Sequence, residues 1–164
     1  MTFNIRFTAR ILIEAVTPLK IGTGESGLTI DEMIARDANG LPYIPGTAIA
    51  GVLRHSSSVD GENDLFGFQK RDKGMGSRVI VSSAQFVGKN GQVHDGLQII
   101  NFQDDFYKRF QKLPVREHVR ITDKGVADKE GHGKFDSQLV FKGSRFAVSY
   151  THLRAHETVL DLVC

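Results

Sequence analysis

The sequence predicts an α+β domain, and three patterns carry that expectation. Residues 4–14 alternate, with Ile5, Phe7, Ala9, Ile11 and Ile13 on one side and Arg6, Thr8, Arg10 and Glu14 on the other. Leu12 is the exception. A period of two over that length marks a strand with one apolar face to bury. Ile49, Val52 and Leu53 then recur at helical spacing behind Thr47, a residue type that caps helices. Residues 116–121 and 135–140 read as two further strands, joined by a charged, glycine-bearing stretch.

Composition narrows the class. At 164 residues the chain is long enough for one domain with a real core. Its 40% hydrophobic and 24% charged residues fit a soluble globular protein. No apolar run reaches membrane-spanning length, and the N-terminus has no signal-peptide pattern. The sole cysteine, Cys164, permits neither an internal disulfide nor a cysteine-ligated metal site. A reducing, cytoplasmic setting is expected, with no membrane partner. Net charge is only +2, but Lys70, Arg71, Lys73 and Arg78 form one basic cluster. Lys108, Arg109, Lys112, Arg116 and Arg120 form another. Such clusters either neutralise phosphates locally or are plain solvated surface.

In chain order, the first strand leads into the breaker-rich piece Thr17-Pro18-Leu19-Lys20-Ile21-Gly22-Thr23-Gly24. A polar-apolar stretch containing Asp31 follows, and Asp37-Ala38-Asn39-Gly40 reads as a turn in which Asp37 bonds its own backbone two residues on. Pro45-Gly46 forces an abrupt entry into the helix. The first turn of that helix, at Gly46 and Thr47, would present free N–H groups and the positive dipole end to a phosphate. Arg54 and His55 add charge further along. Phe66 reads as a core anchor, and residues 69–76 as a basic glycine stretch. Arg78, at the start of a strand, either reaches a phosphate backbone or braces the fold. Phe102, Phe106, Tyr107 and Phe110 at helical spacing predict an amphipathic helix whose aromatic face is consumed by packing rather than base stacking. His118 and His132 lack metal-site spacing and predict polar surface, while Phe135 is expected to pack at the base of the last hairpin.

Residues 41–54, Leu-Pro-Tyr-Ile-Pro-Gly-Thr-Ala-Ile-Ala-Gly-Val-Leu-Arg, resemble the Ile-Pro-Gly-Ser-Ser-Leu-Lys-Gly-x-Leu-Arg signature of the RAMP superfamily, the RNA-binding proteins of CRISPR effector complexes. Further matches occur in the family's order. Leu19-Lys20-Ile21-Gly22 resembles its Leu-His-Ile-Gly-Gly loop, with Lys20 where a histidine often stands. Leu65-Phe66-Gly67 matches its Leu-Phe-Gly. Residues 77–84 are similar to its Ser-Arg-Leu-x-Phe-x-Asp-Ala strand, with Ser83 replacing the aspartate. Residues 116–140 resemble its thumb hairpin, and 142–146 its Gly-Thr-x-Phe strand.

The resemblance implies an RRM-like (ferredoxin-type) sheet with insertions and a thumb β-hairpin. It also implies a type III effector backbone subunit that binds guide RNA and cuts complementary target RNA. Asp31 matches the aspartate needed for cutting, as proton acceptor or as ligand of Mg2+ or another divalent metal. Alone, it would be read as a solvated loop acid. Lys20, Gly46, Thr47, Arg54, His55, Lys70, Arg71, Arg78 and Arg120 are the implied RNA contacts. Val126 and Ala127, at the thumb tip, would insert between bases. Ala50 replaces a basic residue often found there, which leaves Arg54 and His55 to carry that contact. Implied partners are guide RNA, target RNA, copies of the chain and other CRISPR effector subunits. The rivals are a non-cutting architectural subunit of the same superfamily and a generic RNA- or protein-binding module.

From about Ser149 the sequence changes character. Residues 149–164 resemble a translated sequencing-adapter tail that recurs on unrelated chains, so His152, His156 and Asp161 are discounted as a metal cluster. The expected organisation is therefore a RAMP/RRM-like domain over residues 1–148, C-terminally truncated, followed by a non-native tail over 149–164. A sheet missing its last strand would leave an open edge and an association-prone product.

Overall fold

The computed structural model describes residues 3–24, 30–57, 62–121, 126 and 133–155. The chain forms two compact units. The first comprises Met1–Leu12, Pro45–Ala84 and Ala147–Cys164, and the second Ile13–Ile44 and Gln85–Phe146. The architecture is α+β, with antiparallel pairings and short helices.

Strand β1 spans Phe3–Glu14, where the alternation predicts it. Its apolar side is not buried: Ile5, Phe7 and Ile11 are 39%, 45% and 45% exposed. Alternation records which side of a strand is apolar, whereas covering that side depends on a packing partner. Strand β4 (Val79–Val81) pairs antiparallel with β8 (Arg145–Ala155), matching Val79 with His152 and Val81 with Tyr150. The sheet runs β1-β8-β4, and β5 (Gln85–Val87) also pairs with β8. The expected boundary at residue 148 falls inside β8, and residues 149–155 continue the strand. Ladder pairing uses backbone groups, so a sequence of any origin with strand propensity can supply it.

Helix α1 spans Gly46–Ser56, one residue earlier than Thr47 would have started it. Pro45 occupies the cap, with no side-chain cap bond. The early start is possible because Gly46 lies directly on the end of β4. Only Gly46 is buried in this helix, while Val52 is 66% exposed. The face expected to be buried is therefore largely open. Next come α2 (Glu62–Phe66), which holds Phe66, and a hairpin of β2 (Phe68–Lys70) with β3 (Lys73–Met75) within the basic glycine stretch. Gly67 is required between them. It has φ +74°, and a Cβ there would sit 2.5 Å from the Met75 carbonyl oxygen.

The core of the second unit is aromatic. Helix α3 (Asp105–Gln111) is capped by Asp104, whose carboxylate accepts from the Phe106 N–H, and it buries Tyr107 and Phe110 as the spacing predicts. Phe86 meets Phe110 edge to face at 4.6 Å and Phe146 at 6.0 Å. His94, 4% exposed, bonds the Tyr107 hydroxyl at 2.9 Å and Gln98 Oε1 at 2.8 Å. Asp37 is a turn residue as expected: its Oδ1 accepts from the N–H groups of Asn39 (2.9 Å) and Leu41 (2.8 Å).

The last hairpin is β6 (Val115–Val119) against β7 (Lys134–Gln138), in register Val115↔Gln138 to Val119↔Lys134. Phe135 does not pack at its base. It pairs with His118 near the far end of the described ladder, the rings stacked at 4.9 Å and 12°. Opposed positions on one face of an antiparallel pair place the two rings in reach.

Candidate nucleic-acid interface

The predicted residues fall into two sets, one in each unit. In the second unit the decisive element is the segment before Ile34. Glu32 forms a parallel bridge to Ser137 of β7. Its N–H donates to the Asp136 carbonyl at 3.1 Å, and its carbonyl accepts from Gln138 N–H at 3.0 Å. On the other side, Thr23 N–H donates to the Met33 carbonyl and Ala35 N–H to the Ile21 carbonyl. The segment is thus held between the Leu19–Gly22 loop and the hairpin by backbone bonds.

That strapping decides where two adjacent carboxylates go, because successive side chains on an extended chain point to opposite sides. Asp31 is exposed. Its Oδ2 accepts from the Asp136 N–H at 3.0 Å, and its Oδ1 has no hydrogen-bond partner among the described residues. Glu32 turns the other way. Its Oε2 takes both the Lys20 ammonium, as an ion pair, and the hydroxyl of Ser137, a fully buried residue. Lys20 is therefore engaged with Glu32. Sequence reasoning missed Glu32, whose only signal is its place beside Asp31. Asp136 was missed as well: its Oδ1 is buried with no hydrogen-bond partner among the described residues.

The hydrogen bond from Lys20, and secondly that from Ser137, holds the Glu32 carboxyl below its ordinary value of 4.5. A depressed carboxylate adds stability that is fully present above its unfolded value and disappears as the pH falls through the lower folded value. Below about pH 4.5 the wild type should therefore lose thermal stability more steeply than Glu32→Gln. Parallel melting curves for the two proteins between neutral and acid pH would cancel this assignment.

Arg120 is exposed beyond β6, and its N–H donates to the Gly133 carbonyl. Val126 is 58% exposed. Ala127 and His132 lie outside the described residues.

In the first unit, Gly46, Thr47 and Arg54 line one cleft of about 430 Å3 with Ala50, Gly51 and Phe66. The N-terminal donors of α1 are partly used already. Gly46 N–H donates to Ser83 Oγ at 3.4 Å, and Ala48 N–H to the Pro45 carbonyl at 3.0 Å. Ser83, which stands where the family pattern has aspartate, thus meets the helix start with a neutral group. Arg54 Nη2 donates to Asn63 Oδ1 at 2.7 Å, which fixes its guanidinium near the cleft. His55 is exposed one position on.

Lys70 lies opposite Lys73 on the β2–β3 hairpin, and Arg71 sits in its turn at φ 50°. Both are exposed. Arg78 braces the fold. Its N–H donates to the Leu65 carbonyl, and its carbonyl accepts from Leu153 N–H. Its Nε adds a bond to the Leu153 carbonyl at 3.2 Å. Among the described residues no helix is long and apolar enough to cross a membrane, and no three histidine, cysteine, aspartate or glutamate side chains converge as a metal site.

A family model described as the RAMP superfamily matches residues 12–163. No curated protein matches the chain in sequence. In fold it is similar to a chain of the type III-B Cmr-beta complex bound to cognate target RNA, solved by cryo-EM. The TM-score is 0.64 at 12% identity, covering 99% of this chain and 89% of that one. A chain of the apo Cmr-beta complex gives 0.61 at 13% identity, covering 92% and 85%. A chain of a type IV-B CRISPR complex gives 0.51 at 14% identity, covering 94% and 75%. At such identities the likeness is one of fold.

Proposed function

The chain belongs to the RAMP superfamily, and from that premise we propose that it is a backbone subunit of a type III CRISPR effector complex, binding guide RNA and cutting the complementary target RNA. The observation that carries the cutting role is Asp31: an exposed carboxylate oriented by a backbone N–H of β7, with one oxygen unengaged. The likeness in fold to a complex solved with target RNA supports the choice of substrate.

The reaction asks little of the protein. The 2′-hydroxyl of one nucleotide attacks the adjacent phosphorus to form a 2′,3′-cyclic phosphate. The bond to the 5′-oxygen breaks, with water giving the leaving oxygen its proton. Asp31 would accept the hydroxyl proton as attack proceeds. The extended hairpin backbone would hold the carboxylate at a fixed height beside the strand. A divalent cation suits this donor set, since magnesium takes one or two carboxylates plus substrate oxygens and water. Asp31 supplies a free oxygen, and the orphaned Oδ1 belongs to neighbouring Asp136. When bound, the cation would offset charge developing on the phosphate.

Guide binding would use the α1 cleft, with Arg54 and His55 at the phosphates, and the cations Lys70, Arg71 and Arg120. Lys70 and Lys73 face each other across a hairpin, a repulsion that a phosphate between them would relieve. Val126 and Ala127 would wedge between bases. The chain would work in the cytoplasm beside copies of itself and other effector subunits.

The deciding experiment mixes the chain with guide RNA, labelled complementary RNA and magnesium. Cutting supports the proposal. Binding without cutting makes this an architectural subunit, and no RNA binding makes it a module of another kind. Within the proposal, Arg54→Ala should weaken guide binding and reduce the slope of log affinity against log salt by about 1. Filter binding over a salt series reads that slope, and an unchanged one removes Arg54 from the phosphates.

A further inference from the structure

The second unit holds a cleft of about 440 Å3 that shares no lining residue with the RNA contacts assigned above. That volume lies within the roughly 300–1,000 Å3 of small-molecule sites. Its wall is aromatic. Phe86 and Phe110 are closed into the core at 1% and 5% exposure, but Phe106 and Phe141 remain half-buried next to Phe110, at 5.4 Å and 5.7 Å from it. The helical aromatic stripe is therefore not wholly consumed by packing.

The rim is cationic, and its charges are of two kinds. Lys89 is ion-paired with Asp104, and Arg145 Nε donates to Glu14 Oε2 at 2.8 Å. Those two are neutralised and held in place. Arg109 and Lys142 are exposed, line the same cleft and have no partner among the described residues. They leave two positive charges uncompensated, which matches the roughly −1.5 to −2 of a phosphate monoester near neutral pH. A third observation is independent of charge. Ser144 lines the cleft at 6% exposure, and its Oγ is buried with no hydrogen-bond partner among the described residues. Buried hydroxyls are almost always bonded, so an orphan in the wall of a cavity has a bond to gain from a ligand atom once its side chain turns toward it.

An inorganic anion would need the cations but not the aromatic wall. An apolar ligand would need the wall but not the cations. We propose that this cleft binds a nucleoside monophosphate unit, with the base against Phe106 and Phe141, the phosphate on Arg109 and Lys142, and a polar atom on Ser144. Stacking on aromatic rings combined with cations at the phosphate is how nucleotides are held without regard to sequence. The unit could arrive as a free nucleotide or as one nucleotide of an RNA strand.

Equilibrium dialysis of the full chain with radiolabelled AMP, and separately with a labelled oligoadenylate, tests this. Wild type should bind AMP more tightly than adenosine or inorganic phosphate competes for it. The double variant Arg109→Ala/Lys142→Ala should weaken binding at least about tenfold, as expected when charge-assisted bonds are lost. Ser144→Ala should weaken it measurably. Loss of AMP binding in these variants supports the site with a free nucleotide as ligand. The same losses for the oligoadenylate, with AMP silent, support it with a strand as the source. The proposal is overturned if neither ligand binds, if the double variant binds both as wild type does, or if only the charge variant responds while Ser144→Ala matches wild type.

Discussion

Asp31→Ala is expected to lower target-RNA cutting by about 10²–10⁴-fold, the usual contribution of a positioned proton acceptor, while guide and target binding stay at wild-type strength. Binding should survive because Asp31 is exposed and contributes one bond to the fold, from the Asp136 N–H at 3.0 Å. Glu32, which makes both backbone bonds to β7, remains to hold the segment. Alanine alone does not separate chemistry from support, so Asp31→Asn is the sharper variant. Its amide oxygen can still accept from Asp136, but it has lost the charge and most of its basicity. Single-turnover cutting of labelled RNA should be lost in both variants. Wild-type rates in Asp31→Asn would show that the carboxylate is no proton acceptor, and the cutting assignment would have to move elsewhere.

Gly46→Ala should destabilise the fold by about 2 kcal/mol, a net of two opposed effects. Alanine is the better helix former, worth up to ~1 kcal/mol. Against that, an added Cβ would lie 2.3 Å from the Val81 carbonyl oxygen and 2.9 Å from the Ser82 carbonyl carbon and oxygen. All three are backbone atoms, which cannot turn aside as a flexible side chain can. Overpacking of this kind costs about 1–3 kcal/mol, and a 2.3 Å approach to backbone lies at the upper end, so the steric effect wins by about 2 kcal/mol. The midpoint of thermal unfolding should fall by roughly 4–8 °C. Gly51→Ala is the internal control: it sits in the same helix with nothing within 4 Å of its Cβ position, so the same change should stabilise by ~0.5–1 kcal/mol. Opposite signs in one helix would show that close approach, not propensity, demands Gly46. Equal shifts of either sign would discard that account.

Much of this was legible in the order of residues. Period-two alternation placed β1, and the Asx geometry of Asp37 follows from Asp-Ala-Asn-Gly. Helical spacing of aromatics placed α3 with Tyr107 and Phe110 inward, and turn chemistry between two β-rich runs placed the β6–β7 hairpin. Each of these is a local rule, set by backbone sterics and by which neighbours a side chain can reach. The order of separated motifs also sufficed for the superfamily, which the match over residues 12–163 bears out.

Other features were beyond local rules. Nothing near residue 32 says that Glu32 binds Lys20 and Ser137, because the three meet only when β7 comes alongside. Nothing in the helix signature says that its apolar residues stay exposed while its glycine is the buried contact. The cleft that Ser144 lines draws its cations Arg109 and Lys142 from distant stretches of chain. The chain's own order determined β1, α1, α3, the β6–β7 hairpin and the family. The tertiary structure alone decided which faces are covered and which polar groups are paired, since burial and pairing are relations between segments far apart in sequence.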